Sequence, residues 1–239
     1  MIKTVAWWAV LMAVALVVVG LQTDRQTRRT PAVAASVPEA FRSAAQLPIA
    51  AYAVAGDDHE SALAEAEKLV RRRPLPAEHL RVLAQAQFLA GDVAGSSLSI
   101  QYAAQRGWRD PLAQETMLRL ALEAGNTSEA ARRYAALFLR RDTQDALLEE
   151  LGPPVLAETG GAGRQTLIDI VGGGERWHNQ FLGRGARVMP ADAFVEIVGA
   201  TIENGTRYEC RMLEQALRGV TARDEASGVA FSAIIDDQC

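Results

Sequence analysis

The sequence predicts an all-α protein. The expected fold is a helical-hairpin repeat solenoid behind an N-terminal transmembrane helix, with an irregular helical C-terminal cap. Three observations lead there. A glycine-centred triplet recurs as Ala55-Gly56-Asp57, Ala90-Gly91-Asp92 and Ala124-Gly125-Asn126, at intervals of 35 and 34 residues, and such a period marks stacked helical units. Apolar residues around the triplets recur at i, i+3, i+4 and i+7, the spacing of one helix face. Hydrophobic residues make up 49% of the chain but aromatics only 6%, so the apolar content is mostly Ala, Leu and Val, which suits close helix packing.

The first element, residues 1–23, reads as a membrane anchor. Thr4 to Thr23 carries no charge, and Val5 to Leu21 is almost wholly apolar. Twenty helical residues reach about 30 Å, the depth of a bilayer core. Trp7 and Trp8 near the start fit an interfacial belt. A cleaved signal peptide is the rival reading. Its nearest cleavage pattern, Ala32-Val33-Ala34, lies more than ten residues beyond the apolar run with three arginines between, and the run exceeds the usual apolar stretch of a signal. An uncleaved, single-pass anchor in the inner (cytoplasmic) membrane is therefore expected. Arg25, Arg28 and Arg29 against Lys3 and the α-amine tilt the Lys/Arg count toward a cytoplasmic body. The very short N-terminal tail and two cysteines that suit an oxidising compartment point to a periplasmic body, and that is the orientation expected.

Residues 24–41 read as a linker rich in Thr, Arg, Pro and Ala. A short helix is expected from Pro38 to Leu47, with Glu39 near its positive end and Pro48 terminating it.

Residues 42–144 hold the repeats. With each triplet glycine at position 15 of a 34-residue unit, the second unit runs Ala77 to Asp110 and the third Pro111 to Gln144. The first starts near Arg42 and carries one extra residue after its glycine. Leu80, Leu83, Ala84 and Phe88 precede Gly91, and Leu98, Tyr102 and Ala103 follow it. Met117, Leu118, Ala121 and Leu122 precede Gly125, and Ala130, Tyr134, Leu137 and Phe138 follow it. Each glycine is expected to end a helix in the left-handed conformation, and the neighbouring Asp or Asn to cap the next helix.

On these residues the segment resembles the tetratricopeptide repeat family. Ala62 and Ala130 stand at its post-turn alanine, Ala66 and Tyr134 where the second helix packs on the first, and Pro74 at its terminal proline. The departures are Leu80 and Gln114 at the family's tryptophan, Leu118 at a small-residue position, Ser96 at the turn alanine, and Trp108 and Asp142 at the terminal proline. The resemblance implies a concave face built from the first helix of each unit. Glu78, Arg81, Gln85, Phe88, Leu112, Glu115, Arg119 and Leu122 would line it. A mixed polar and apolar groove of that kind suits a peptide or helix of another protein; ordinary surface and inter-repeat packing is the competing role for the same residues.

In residues 145–239 the period fades. Asp145 to Leu151 is helical in pattern and meets Gly152-Pro153-Pro154. Thr159 to Gly163 reads as a loop, and Gln165 to Val171 as a short apolar run closed by Gly172-Gly173-Gly174. Trp177 and Phe181 share a helix face. Helices are expected from Pro190 to Glu203, stopped by Asn204-Gly205, and from Tyr208 to Leu217. Gly228 to Ile235 is β-prone and reads as a short strand or a docked tail. Cys210 and Cys239 are disulfide candidates closing a loop of about 30 residues; one buried and one terminal thiol is the alternative.

Beyond the first 30 residues the chain holds 21 basic and 28 acidic side chains, which disfavours a nucleic-acid partner. The runs Arg71-Arg72-Arg73 and Arg132-Arg133 read as solvated surface. His59-Glu60 has Leu63 where a zinc-protease helix needs its second histidine. His59, His79 and His178 lack metal-ligand spacing, and Gly160-Gly161-Ala162-Gly163-Arg164 lacks the Lys-Ser/Thr of a phosphate loop. No catalytic residue, metal or cofactor is expected. The functional expectation is a membrane-anchored scaffold binding a protein partner in the bacterial cell envelope. An accessory subunit of a polysaccharide or cell-wall assembly system, engaged through Trp7 and Trp8, is the alternative. An enzyme built around Trp177, His178 and Glu196 is the third reading.

Overall fold

The computed structural model describes residues 2–239, and every regular element among them is helical, with no strand. Met1, the first residue of the expected anchor, lies outside the described residues. The chain divides into two units, Met1–Gly107 and Trp108–Cys239.

The first unit holds α1 (Ile2–Gln26), two 3-10 turns (Pro31–Ser36 and Glu39–Phe41), α2 (Gln46–Val54), α3 (His59–Arg72), α4 (Ala77–Leu89) and α5 (Val93–Arg106). The helix α1 is long and apolar enough to cross a membrane, and its large apolar side chains from Val5 to Leu21 lie exposed. The helices α2 and α3, α3 and α4, and α4 and α5 pack in sequence, and α2 also meets α4. Their core is built from Ala50, Val54, Ala62, Ala66, Leu69, Val82 and Ala86. Alanine at four of these seven positions lets the helix backbones approach closely.

The glycine turns obey one rule in two places and depart from it in a third. Gly91 and Gly125 take φ of +84° and +69°. The amide that follows each bonds back to a carbonyl one turn inside the preceding helix, Asp92 N–H to Gln87 at 2.9 Å and Asn126 N–H to Ala121 at 2.8 Å, the Schellman closure. The next helix is then capped, as Asp92 accepts from Gly95 N–H at 2.8 Å and Asn126 from Glu129 N–H at 3.0 Å. Gly56 is not left-handed. The extra residue moves the cap to Asp58, which accepts from Ser61 N–H at 3.0 Å. Asp58, Asp92 and Asn126 thus cap α3, α5 and the corresponding later helix at 34-residue intervals.

Pro48 does not end a helix; it sits in the first turn of α2. A proline there forfeits only an amide that has no intrahelical acceptor, so the expected stop becomes a start.

The second unit contains α6 (Pro111–Glu123), α7 (Thr127–Phe138), α8 (Asp145–Val155), α9 (Ala162–Gly172), a 3-10 turn (Glu175–Trp177), α10 (His178–Val188), α11 (Ala191–Glu203), α12 (Cys210–Thr221) and α13 (Glu225–Gln238). An aromatic chain ties its core together. Tyr134, Phe138, Phe181, Phe194 and Phe231 follow one another with ring centroids 6.3, 5.9, 5.6 and 5.5 Å apart. Buried Arg184 on α10 donates to the carbonyls of Phe138 and Arg140 at 2.6 Å each and to Asp145 Oδ1 at 2.8 Å, closing the end of α7. A disulfide joins Cys210 to Cys239, with Cα atoms 5.8 Å apart, and so links the start of α12 to the residue after α13.

Two expectations fail in this unit. The helix α8 continues through Pro153 and Pro154 to Val155. Both prolines and their acceptor residues Glu149 and Glu150 lie on the exposed side, where the freed carbonyls face solvent rather than the core, while Val155 and Leu156 are buried. The β-prone stretch Gly228 to Ile235 lies within α13. The buried residues of α13, Ser227, Gly228, Phe231 and Ile235, follow helical spacing, and tertiary packing overrides the local strand preference.

Candidate functional site

The site begins where α1 leaves its apolar stretch. Asp24 is buried, and its Oδ1 accepts from the backbone N–H groups of Ser43, Ala44 and Ala45 at 2.9, 2.9 and 2.8 Å. These amides lead into α2, with Ala45 its N-cap residue, so a carboxylate from α1 ties down the start of α2 and satisfies one of its terminal amides. Gly20 completes the joint: a β-carbon there would stand 2.7 Å from Cδ2 of Phe41. Only a glycine lets the phenyl ring lie on the helix backbone at this point. The residues 24–41, expected as a linker, are packed, with Ala34 and Val37 buried beside Ala45 and against Phe41 and Ile49.

The same segment is held from the far side by α3. Arg72 Nη1 donates to the carbonyls of Glu39 and Arg42 at 2.8 and 2.5 Å. Gln46 Nε2 donates to Glu65 Oε2 at 2.6 Å, and Lys68 Nζ donates to Glu65 Oε1 at 2.7 Å. Desolvation pushes the Glu65 carboxyl up, but these hydrogen bonds outweigh it and hold it below the usual carboxylate range.

With α2 fixed in this way, a groove of about 160 Å³ opens between α2 and α4. Leu47, Ala51 and Val54 from α2 and Val82 from α4 form its apolar floor, and Glu78, Arg81 and Gln85 its polar rim. Leu47 and Glu78 also belong to a wider depression of about 450 Å³ that reaches Arg28 and Pro31 at the foot of α1. His79 lines that depression. It is buried, with Nδ1 2.9 Å from the Arg73 carbonyl, and desolvation holds its pKa below the ordinary histidine value.

Of the residues expected on a concave face, Glu78, Arg81 and Gln85 come together here. Phe88 lies on α4 beyond the groove, with 63% of its surface exposed. The other four sit on α6 in the second unit. Leu112 is exposed. Arg119 pairs with Glu115 and with Glu150, at 2.9 Å each. Leu122 packs, partly buried, against the core. Leu47, Ala51 and Val54 are not among the expected residues; their i, i+4, i+7 spacing is the available signal, masked by the expected helix end at Pro48.

The residues of the enzyme reading are engaged elsewhere. Glu196 accepts from Arg164 Nη1 at 2.5 Å and from Gly160 N–H at 2.8 Å. His178 is buried, with Nε2 3.1 Å from the Val171 carbonyl. Trp177 lies under the Arg176 guanidinium. Among the described residues, no group of His, Cys, Asp or Glu is arranged to hold a metal ion. No family model, no curated protein and no solved structure matches this chain.

Proposed function

We propose that this protein is a membrane-anchored scaffold of the bacterial cell envelope that binds a segment of another protein in the groove between α2 and α4. The observation that carries this reading is the groove itself. It has an apolar floor bordered by a carboxylate, a guanidinium and an amide, a mixture that suits an amphipathic helix or extended peptide, and it shares Leu47 and Glu78 with the wider depression that reaches Arg28 and Pro31.

The tetratricopeptide-like solenoid belongs to this proposal. It draws support from a second 34-residue period. Arg72, Arg106 and Arg140 each reach a carbonyl about one repeat upstream: Arg72 reaches Glu39 and Arg42, Arg106 reaches Pro74 at 2.9 Å, and Arg140 reaches Arg109. In this reading α1 is an uncleaved inner-membrane anchor. Two features support retention. The Ala32-Val33-Ala34 pattern lies in a 3-10 turn with Ala34 buried, and Asp24, upstream of it, ties down the start of α2. The disulfide fits a periplasmic body. No catalytic role, cofactor or nucleic-acid partner is assigned.

The test is made on the native chain in cells. Membrane fractions washed with alkaline carbonate should retain it, its intact mass should include residues 1–34, and Cys210 and Cys239 should take up a thiol reagent only after reduction. A released, shortened chain would refute the anchor. Thiols that react without reductant would refute the periplasmic body.

A further inference from the structure

We propose that Arg25, Arg28 and Arg29 form a binding site for the phosphodiester of an anionic phospholipid headgroup. The proposal rests on the reading of α1 as a bilayer span. Three observations lead to it.

First, the arginines are gathered. Arg25 is in the last turn of α1, and the backbone continues to wind past it, with Arg28 N–H bonded to the Arg25 carbonyl and Arg29 N–H to the Gln26 carbonyl at 3.4 and 2.9 Å. The i, i+3, i+4 spacing places the three side chains on one side. With Gln22, Gln26 and Thr30 they line a depression of about 600 Å³ that contains no carboxylate.

Second, none of them is held in an ion pair. Asp24 is the single acidic residue in residues 2–38, and its carboxylate is buried and turned to the amides of Ser43, Ala44 and Ala45. Among the described residues, none of the three arginines lies within ion-pair distance of a carboxylate. Arg72, Arg119, Arg164 and Arg184, by contrast, all do.

Third, their depth is set. Arg25 follows Leu21 by four residues, about 6 Å along the axis, which places it in the headgroup layer outside the hydrocarbon core. The bonds of Asp24 to the start of α2 and the contact of Phe41 with Gly20 keep the chain from swinging away at this level. Guanidinium groups held there match the charge and bidentate geometry of a phosphate. Gln22, Gln26 and Thr30 add neutral donors beside them. Three arginines on the exported side also oppose the usual distribution of Lys and Arg, and headgroup binding gives them a reason to be there.

The experiment uses the full chain reconstituted into phosphatidylcholine vesicles carrying trace spin-labelled lipid. The motionally restricted fraction is read for phosphatidylglycerol and for phosphatidylcholine labels. Phosphatidylglycerol should be preferred by about fivefold or more. R25Q/R28Q/R29Q should abolish the preference, the corresponding triple lysine variant should recover part of it, and R211Q/R218Q, on α12, should leave it unchanged. Circular dichroism of each variant checks that the helices remain. Equal retention of both labels, a preference that survives in the triple glutamine variant, or a loss in R211Q/R218Q would overturn the proposal. Displacement of the lipid label by millimolar inorganic phosphate would instead assign a soluble-anion site and also overturn it. Vesicle flotation, read separately, reports on the anchor: a chain that fails to float refutes the span itself.

Discussion

Replacing Asp24 by alanine should loosen the start of α2 more than any other single change at the foot of α1. Asp24 is 6% exposed, and its carboxylate accepts from three consecutive amides at 2.8–2.9 Å through one oxygen, with a fourth contact of 3.0 Å from Ala44 to Oδ2. A hydrogen bond to a charged group contributes about 1.5–3 kcal/mol, so three would sum to more than 4. Two terms reduce that total. Deleting the carboxylate removes its own desolvation cost, and the amide of Ser43, an exposed residue, regains water. A net loss of about 2–4 kcal/mol is expected, with Asp24→Asn losing less because one acceptor oxygen remains. Amide hydrogen exchange on the full chain in detergent micelles measures this locally. Protection of residues 43–54 should fall by about thirtyfold or more, a factor of ten being about 1.4 kcal/mol. Protection in α12 and α13 should be unchanged and serves as the internal reference. If residues 43–54 exchange as in the unaltered chain, or if both regions lose protection equally, the joint described above is not what starts α2.

Other changes test neighbouring steps. Gly20→Val places a side chain where the Phe41 ring lies, 2.7 Å from the ideal β-carbon, and should cost about 1–3 kcal/mol, read as raised exchange of residues 37–45; unchanged exchange would contradict the contact. Cys239→Ser opens a loop of 29 residues and should lower the stability of the second unit by about 3–4 kcal/mol, seen as an earlier urea midpoint that reductant no longer shifts. His79 has a depressed pKa in the folded chain, so the unfolded chain binds the proton first. Its contribution should be complete above the unfolded value of about 6.5 and decline as pH falls below it. Urea midpoints between pH 7.5 and 5 should show that decline, and His79→Gln should flatten it.

The turns at Gly91 and Gly125 were legible because their signals are local. Each glycine ends one helix in the left-handed conformation, and Asp92 and Asn126 cap the helices that follow them within three residues. The joint at α1 was not legible. Asp24 meets its partners 19 to 21 residues away, and a lone acid in a segment rich in Thr, Arg and Pro carries no mark of that contact. Proline misled twice, at Pro48 and at Pro153-Pro154. Inside a helical pattern proline signals a stop, whereas first-turn placement and an exposed helix face both tolerate it. Composition misled at Gly228 to Ile235, where burial of Phe231 and Ile235 selects a helix. The period of Arg72, Arg106 and Arg140 lay in the sequence, but an arginine acquires this meaning only when the carbonyl it reaches is seen. The groove divides the same way. Glu78, Arg81 and Gln85 on α4 are residues that the family resemblance implies, while its α2 side spans Pro48, where a helix end is expected.

Occupancy of the groove is tested most directly by photo-crosslinking in intact cells, with a benzophenone amino acid at Ala51 on α2 or Gln85 on α4, and at exposed Ala146 on α8 as reference. Ala51 and Gln85 should give one adduct of the same mass, identified as the same protein, absent at Ala146. Ala51→Trp, which fills the floor, should erase the Gln85 adduct while the chain remains in the membrane. No adduct at either groove position, or one that survives Ala51→Trp, would contradict the scaffold reading.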